Sequence, residues 1–202
     1  MTIANYSDLT TALANWGARS DLTSRIPEFI ALSEAKMNRK LRERQMETTI
    51  QFTVDSEYVA LPPGFGGVKT FYLNTSPKAQ LERKTDAELT SKYGDGSTGQ
   101  PKYYEIDGQT FRFGPIPGSS YSATLSYFLK VPALTSVATT NWVITNHPDA
   151  YMYGGMAEMS SYLKDFDAAK GWIEAMYQVM DEMKSSSNKT KWGGAPLVSR
   201  PG

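Results

Sequence analysis

The stretch RIPEFIALSEAKMNRKLRERQM, residues 25–46, decides the fold because it predicts a long α-helix. Pro27 suits the first turn of a helix, where its missing N–H removes no hydrogen bond. Thr23 or Ser24, just before it, can supply a capping hydroxyl. After Pro27 the stretch contains no Gly or Pro, and Ile30 is its only β-branched residue. We therefore expect about 20 helical residues, which span about 30 Å.

The predicted helix has two different faces. Its apolar stripe, which suits packing on a core, consists of Ile26, Ile30, Met37 and Leu41. A second flank mixes apolar and basic side chains, namely Phe29, Leu32, Lys36, Arg39 and Lys40. This flank is either a solvated basic surface or a contact surface for a neighbouring subunit.

Composition restricts the classes of protein to which the chain can belong. Its 202 residues suffice for one domain or two small ones. The 21 Lys and Arg balance the 21 Asp and Glu, so no overall field attracts nucleic acid or a membrane. Cysteine is absent, which excludes disulfides, thiol catalysis and cysteine-based zinc sites. No apolar run approaches about 18 residues, so we expect a soluble, non-secreted chain without a membrane partner.

After the long helix the hydrophobic period changes to strict alternation. The run TIQFTV, residues 49–54, predicts a half-buried strand, and the run YVALP returns, so residues 49–61 predict a hairpin. Thr85 is placed to cap a short helix. Asp107-Gly108 between two apolar-containing runs predicts a second hairpin. Further strands are predicted at residues 68–74, 103–106, 110–113 and about 121–130.

The helical period resumes after a polar linker at residues 135–141. Pro148 suits the start of one helix, and a second begins at Asp165 or Asp167. Gly154-Gly155 inside the first of these helices costs about 1 kcal/mol per Gly relative to Ala. We therefore expect the two glycines to permit the close approach of another helix.

The predicted fold class is α+β. A helical bundle formed from the N- and C-terminal helices carries an inserted antiparallel β subdomain and an extended C-terminal tail. The expected boundaries are residues 1–47 and 132–185 for the bundle, 48–131 for the β subdomain and 186–202 for the tail. Because the two ends of an insertion must lie close together, residues near 47 and 132 should be neighbours.

Motifs for chemistry are few, and we expect no catalytic residue, metal site or cofactor. The single histidine, His147, directly precedes Pro148, where a cap or packing role fits better than catalysis. The loop GDGSTG, residues 94–99, matches G-x-G-x-x-G, but the dinucleotide motif needs a strand before it and a helix after it. Here a predicted helix precedes the loop and a strand follows. Basic residues cluster at 36–44, but without a recognition-helix motif they favour no specific DNA binding.

The chain resembles the head-to-tail adaptor, or connector, proteins of short-tailed bacteriophages. The resemblance covers most of residues 5–183 and is carried by YSDLTTALANWGARSDLTSRIPEFIALSEAKMNRKLRERQME, by YVALPPGF, and by the run from LSYFLKVPAL to AAKGWIEAMY. It implies a structural virion protein at the head–tail junction, assembled in the host cytoplasm. It also implies a ring of twelve subunits that contacts the portal protein and the tail or nozzle protein, and through which genomic DNA passes without specific binding.

The resemblance further implies roles for the two outer parts of the chain. The C-terminal tail would contact the portal, which makes its basic and apolar residues candidate portal contacts: Lys189, Lys191, Trp192, Leu197, Val198 and Arg200. The β subdomain, residues 48–131, would face outward or toward the tail. The alternatives are another phage neck or tail component, a polysaccharide- or peptidoglycan-cleaving enzyme with two converging carboxylates, and a DNA-binding packaging factor.

Overall fold

The computed structural model describes residues 2–192, with side chains described as far as residue 187. The chain divides into two compact units. The helical unit takes residues up to 45 and from 131 onward, and the β unit takes residues 46–130. The predicted α+β class, with a β unit inserted into a helical one, is therefore confirmed.

The described residues contain six α-helices, of which the third belongs to the β unit. In chain order they are α1 (Tyr6–Gly17), α2 (Ile26–Lys40), α3 (Asp86–Tyr93), α4 (Trp142–Asn146), α5 (Pro148–Tyr162) and α6 (Phe166–Trp192). Asn5 caps α1 by accepting the N–H of Asp8 at 3.0 Å. Thr85 caps α3 in a capping box with Glu88, as predicted.

Helix α2 begins where the sequence predicts, but its N-terminus is not capped by the predicted hydroxyl. A 3-10 helix, Ser20–Arg25, leads directly into it, and the N–H of Ile26 donates to the carbonyl of Thr23. The backbone therefore replaces the predicted hydroxyl cap from Thr23 or Ser24. Pro27 lies in the first turn, as expected.

Helix α2 ends at Lys40, about six residues earlier than predicted. Leu41 adopts an extended backbone and is fully buried. The Arg42 guanidinium donates to the carbonyls of Asn38 and Leu41, at 3.0 and 2.6 Å. A side chain thus satisfies carbonyls that the next helical turn would have bonded, which removes the main cost of ending the helix there.

The two glycines of α5 lie at close helix–helix contacts, as predicted. A Cβ placed on Gly154 would lie 1.9 Å from the Ser33 hydroxyl of α2, and one on Gly155 would lie 2.7 Å from Leu13 of α1. Neither α2 nor α1 could approach α5 so closely with a side chain at these positions. The Ser33 hydroxyl is itself buried and has no hydrogen-bond partner within the described part of the chain.

We expect Gly154→Ala to lower the free energy of unfolding of the helical unit by about 1–2 kcal/mol, because overpacking outweighs the better helix propensity of alanine. Gly171 in α6 is the matched control, since a Cβ there meets nothing within 4 Å. Gly171→Ala should instead stabilise, by about 1 kcal/mol. Adding Ser33→Gly to Gly154→Ala should recover part of the loss. All four tryptophans lie in the helical unit, so tryptophan fluorescence in a urea titration measures each change.

Helix α6 is longer than the sequence predicts. It runs to Trp192, so residues 186–192 are helical and the prediction of an extended tail from 186 is wrong over this part. No Gly or Pro occurs between residues 172 and 192 to interrupt it. The Ser187 hydroxyl accepts the N–H of Arg44 at 3.3 Å, which ties this end of α6 to the chain beyond α2. The remaining predicted tail, residues 193–202, lies outside the described residues.

The β unit contains two four-stranded sheets and one two-stranded sheet. Their strand orders are β1-β10-β3-β4, β2-β8-β7-β5 and β6-β9. The strands are β1 (Glu47–Val54), β2 (Tyr58–Ala60), β3 (Phe65–Leu73), β4 (Ala79–Gln80), β5 (Glu82–Arg83), β6 (Thr98–Gly99), β7 (Tyr103–Asp107), β8 (Thr110–Gly114), β9 (Ile116–Pro117) and β10 (Tyr121–Leu129). The Asp107-Gly108 hairpin joins β7 to β8 as predicted, with Gly108 at φ 55°.

The hairpin predicted over residues 49–61 is wrong. Strand β1 pairs antiparallel with β10, while β2 pairs with β8 in the other sheet. The β1–β10 ladder aligns eight residues on each strand, whereas β2 offers only three, so the longer ladder satisfies more backbone groups. Glu47 lies opposite Phe128, which brings the two ends of the β unit together as expected for an insertion.

The core of the β unit is dominated by aromatic rings. Phe71 and Phe111 are almost fully buried, and their ring centroids are 5.1 Å apart. Tyr104 and Phe113 also approach Phe71, at 5.2 and 5.8 Å. Edge-on and tilted pairs at these distances contribute beyond the area that they bury.

Candidate interaction surfaces

A buried polar network holds the helical unit together at the point where the chain returns from the β unit. Glu34 of α2 accepts the Tyr151 hydroxyl and the Leu134 N–H on one oxygen, both at 2.7 Å. Asn141 donates to the Tyr151 oxygen at 2.6 Å and to the carbonyl of Pro132 at 2.7 Å. Its own oxygen accepts two N–H groups at the start of α4. The network therefore fixes residues 131–141 against α2 and α5.

Burial shifts the acid–base behaviour of this network. Desolvation raises the pKa of the Glu34 carboxyl above its usual value, although its two hydrogen bonds act in the opposite direction. Desolvation likewise raises the pKa of the Tyr151 hydroxyl well above its usual range. Tyr151 is fully buried and Glu34 is 7% exposed, so no substrate reaches either group. The role of the network is to position backbone segments.

The flank of α2 that the sequence predicts as a subunit contact is only partly available. Phe29 is buried in the unit's own core and packs on Tyr162, with ring centroids 5.7 Å apart. Leu32 is 52% exposed. Lys36 pairs with Glu158 of α5 at 2.6 Å. Arg39 and Lys40 are exposed, and the Lys40 ammonium lies 3.5 Å from the centre of the Tyr177 ring of α6.

A cluster of exposed apolar side chains lies where α5 gives way to α6. We call this the α5–α6 corner and define it as residues 162–166. Tyr162 is 53% exposed, Leu163 is 38% exposed and Phe166 is 69% exposed. Lys164 lies between them with φ 61°, in the left-handed region. Because Phe29 supports the Tyr162 ring, the corner continues the α2 flank.

A second apolar surface lies at the other end of α5. We call it the α1–α5 groove. It has a volume of about 560 Å³, and its lining includes Ile3, Trp16, Pro148, Asp149, Met152 and Tyr153. The Trp16 ring is 57% exposed and lies 6.0 Å from Trp172, which in turn stacks on Tyr153 at 5.9 Å. The sequence contains no local signal for this groove, because its lining residues are far apart along the chain.

His147 lies beside a small polar cavity of about 90 Å³, which Glu43 and Ser187 also line. Desolvation raises the pKa of the Glu43 carboxyl, while the Ser187 hydroxyl and the Lys184 ammonium lower it. Among the described residues, no hydrogen bond joins the His147 ring to Glu43 or Ser187. His147 therefore forms part of the wall of this cavity, next to the start of α5.

The other motifs also fit structural roles. In the loop at residues 94–99, Thr98–Gly99 pairs with β9 after helix α3, so the loop does not open a helix onto a phosphate. Within residues 2–192, no three His, Asp or Glu side chains converge as they would to bind a metal ion. Over the same part of the chain, no helix has the length and apolar character needed to cross a membrane.

The predicted portal contacts fall at the end of the described chain. Lys189, Lys191 and Trp192 lie in the last turns of α6. Leu197, Val198 and Arg200 lie outside the described residues.

Comparison with known proteins agrees with the resemblance described above. The model of the SU10 adaptor protein family matches residues 4–200, almost the whole chain. No curated protein matches it. The match includes both the helical unit and the inserted β unit. The chain therefore belongs to the SU10 adaptor protein family, a family of structural proteins of bacteriophages.

Proposed function

We propose that the protein assembles as a ring of identical subunits, twelve as the resemblance implies, at the head–tail junction of the virion. In this position it joins the portal protein to the tail or nozzle protein. The ring continues the channel through which genomic DNA passes, and it assembles in the host cytoplasm. This role requires neither catalysis nor a cofactor.

The observation that carries the proposal is the pair of dissimilar apolar surfaces on the helical unit. A ring needs a heterologous interface, in which one surface of each subunit meets a different surface of the next. The α5–α6 corner with the α2 flank supplies one candidate surface, and the α1–α5 groove supplies another. A net charge of zero also suits a conduit, since each phosphate contact would retard the passage of DNA.

The α2 side of the proposed interface differs in one residue from the sequence prediction. Leu32, Lys36, Arg39 and Lys40 remain candidates because each has some exposed surface. Phe29 contributes indirectly, by supporting Tyr162 from within the core. Apolar contact at Leu32 and Tyr162, surrounded by charged side chains, matches the usual arrangement of an apolar centre and a polar rim.

We propose that the C-terminal residues bind the portal. Lys189, Lys191, Trp192, Leu197, Val198 and Arg200 combine basic groups with isolated apolar ones, and no acidic residue follows Glu182. Helix α6 carries the first three of these residues beyond the contact between Ser187 and Arg44. The β unit is proposed to face outward or toward the tail.

Native mass spectrometry of the protein with its portal tests this function. The full chain should form a complex with the symmetry of the portal. Removal of residues 193–202, or the change Lys189→Ala with Lys191→Ala, should weaken that complex by tenfold or more, about 1.4 kcal/mol. Lys170→Ala is the control, because Lys170 is an exposed lysine on the same helix, outside the predicted portal contacts.

Two outcomes separate the parts of the proposal. A full chain that stays monomeric with the portal would refute the adaptor role. A truncated chain that binds the portal as well as the full chain would refute the role of the tail and leave the ring intact.

A further inference from the structure

We propose that the α5–α6 corner of one subunit docks into the α1–α5 groove of the next, with Lys164 paired to Asp149 across the contact. The inference rests on the proposed ring and names the two surfaces that meet. The occupant of the groove is thus a second copy of this chain.

The apolar parts of the two surfaces complement each other, because one projects and the other is concave. The corner projects Tyr162, Leu163 and Phe166, each more than a third exposed. The groove is concave, with a volume of about 560 Å³ and an exposed indole, Trp16, on its edge. This volume lies within the range of about 300–1,000 Å³ that accommodates a compact apolar ligand. A projecting cluster of two rings and a leucine is such a ligand.

The charges of the two surfaces are also complementary. Lys164 is exposed at the tip of the corner and forms no ion pair within the described residues. Asp149 is exposed. Among the described residues it is the only charged residue that lines the groove, and it likewise has no ion-pair partner there. At the corner, Asp165 is already engaged in capping α6, where it accepts the N–H of Ala168 at 3.1 Å. Asp149 likewise accepts the N–H of Ala150 at 3.1 Å. What distinguishes the two surfaces is that each carries one exposed, opposite charge that forms no ion pair among the described residues.

The backbone at Lys164 gives a second reason to assign it a role. Its φ of 61° lies in the left-handed region, where helices usually end with glycine. A lysine at this position is less favourable than glycine within the single subunit. A contact made by its side chain across a subunit interface would offset that disadvantage.

The placement of the two surfaces excludes a contact between them within one chain. Asp149 lies in the first turn of α5 and Lys164 lies just beyond its end. At 1.5 Å per residue the two are about 20 Å apart along the helix. Corner and groove of one chain therefore cannot meet each other. Repetition of the contact from subunit to subunit gives a heterologous chain, which is the type of contact that a ring needs and which forms a ring when the rotation between neighbours closes.

Cysteine cross-linking tests the contact directly, because the natural chain contains no cysteine. The variant Asp149→Cys with Lys164→Cys, assembled with the portal and oxidised, should give a ladder of covalent dimers, trimers and higher species. A disulfide within one chain is excluded, since it requires Cα atoms within about 7 Å. Each single-cysteine variant is the control and should give no species above a dimer.

Charge reversal provides a second test in solution. Asp149→Lys or Lys164→Glu alone places like charges across every contact and should weaken assembly about tenfold. An equimolar mixture of the two variants should restore it, because alternating subunits recreate opposite charges at every contact. Lys164→Gly should raise the melting temperature of the free subunit and still weaken assembly, which separates backbone strain from docking.

The outcomes distinguish this inference from the ring itself. If the wild-type chain assembles with the portal, but the double-cysteine variant gives no ladder and mixing the charge-reversed variants restores nothing, the contact is wrong and the ring stands. If Asp149→Lys prevents portal binding by single subunits, the groove takes a portal segment and the inference is overturned. If the wild-type chain never assembles, the proposed function fails first.

Discussion

Glu34→Ala is expected to lower the free energy of unfolding of the helical unit by about 2–4 kcal/mol. The change leaves the Tyr151 hydroxyl and the Leu134 N–H buried without their acceptor. Each unsatisfied buried group costs about 1–3 kcal/mol. The loss of packing around a residue that is 7% exposed adds to this. Tryptophan fluorescence during urea unfolding measures the change, because every tryptophan lies in this unit.

Glu34→Gln is the matched control, since it keeps an acceptor oxygen and removes the buried charge. Burial raises the pKa of the Glu34 carboxyl in the folded chain, so the folded state holds the proton more tightly than the unfolded state does. The stability that this group contributes is therefore fully present below the unfolded pKa, near 4.5, and is lost as the pH rises through the raised folded value. Glutamine has no such dependence.

The free energy of unfolding of Glu34→Gln, relative to that of the wild type, should therefore increase from pH 4 to pH 7. The comparison must be made between these two chains, because Glu43 also has a raised pKa and shifts the wild-type curve in the same direction. Equal stabilities of Glu34→Ala and Glu34→Gln at pH 7 would show that the hydrogen bonds to Tyr151 and Leu134 contribute nothing.

The sequence predicts those features that depend on neighbouring residues. The start of α2 at Pro27, the capping box at Thr85 and the hairpin at Asp107-Gly108 each follow from local chemistry. The partner of β1 does not, because β10 lies some 70 residues away along the chain. A turn at residues 55–57 suits a hairpin and a crossing between sheets equally well, so local signals cannot choose between them.

The candidate surfaces also include some features that neighbouring residues determine and others that depend on residues far apart in the chain. The mixed flank of α2 is visible in the sequence because it lies on one helix, but the burial of Phe29 depends on Tyr162, more than 130 residues later. The α5–α6 corner produces no periodic pattern in the sequence, because its residues lie where two helices meet. A sequence signal for it exists in retrospect. Tyr162, Leu163 and Phe166 are large apolar residues at a helix–helix connection, where polar residues and glycine are more usual.

Phe71→Ala is expected to cost the β unit about 3–5 kcal/mol, the range for removing a buried aromatic side chain. Phe71 is 1% exposed and touches four other rings, those of Phe52, Tyr104, Phe111 and Phe113. Because these rings belong to both four-stranded sheets, the cavity would open at the centre of the unit. Tyr58→Ala is the control, since Tyr58 is an aromatic residue of the same unit that is 47% exposed, and it should cost less than about 1 kcal/mol.

The stabilities of the two units can be measured separately, because all the tryptophans lie in the helical unit. The β unit contains none, so hydrogen exchange read by mass spectrometry over peptides of residues 46–130 reports its loss of stability, and tryptophan fluorescence reports the helical unit separately. We expect faster exchange in the β unit and an unchanged fluorescence transition. If the two signals move together, the units unfold as one cooperative block.

If the two signals separate, the same variant can be mixed with portal and with tail protein. Retained portal binding with lost tail binding would then place the tail contact in the β unit, as proposed.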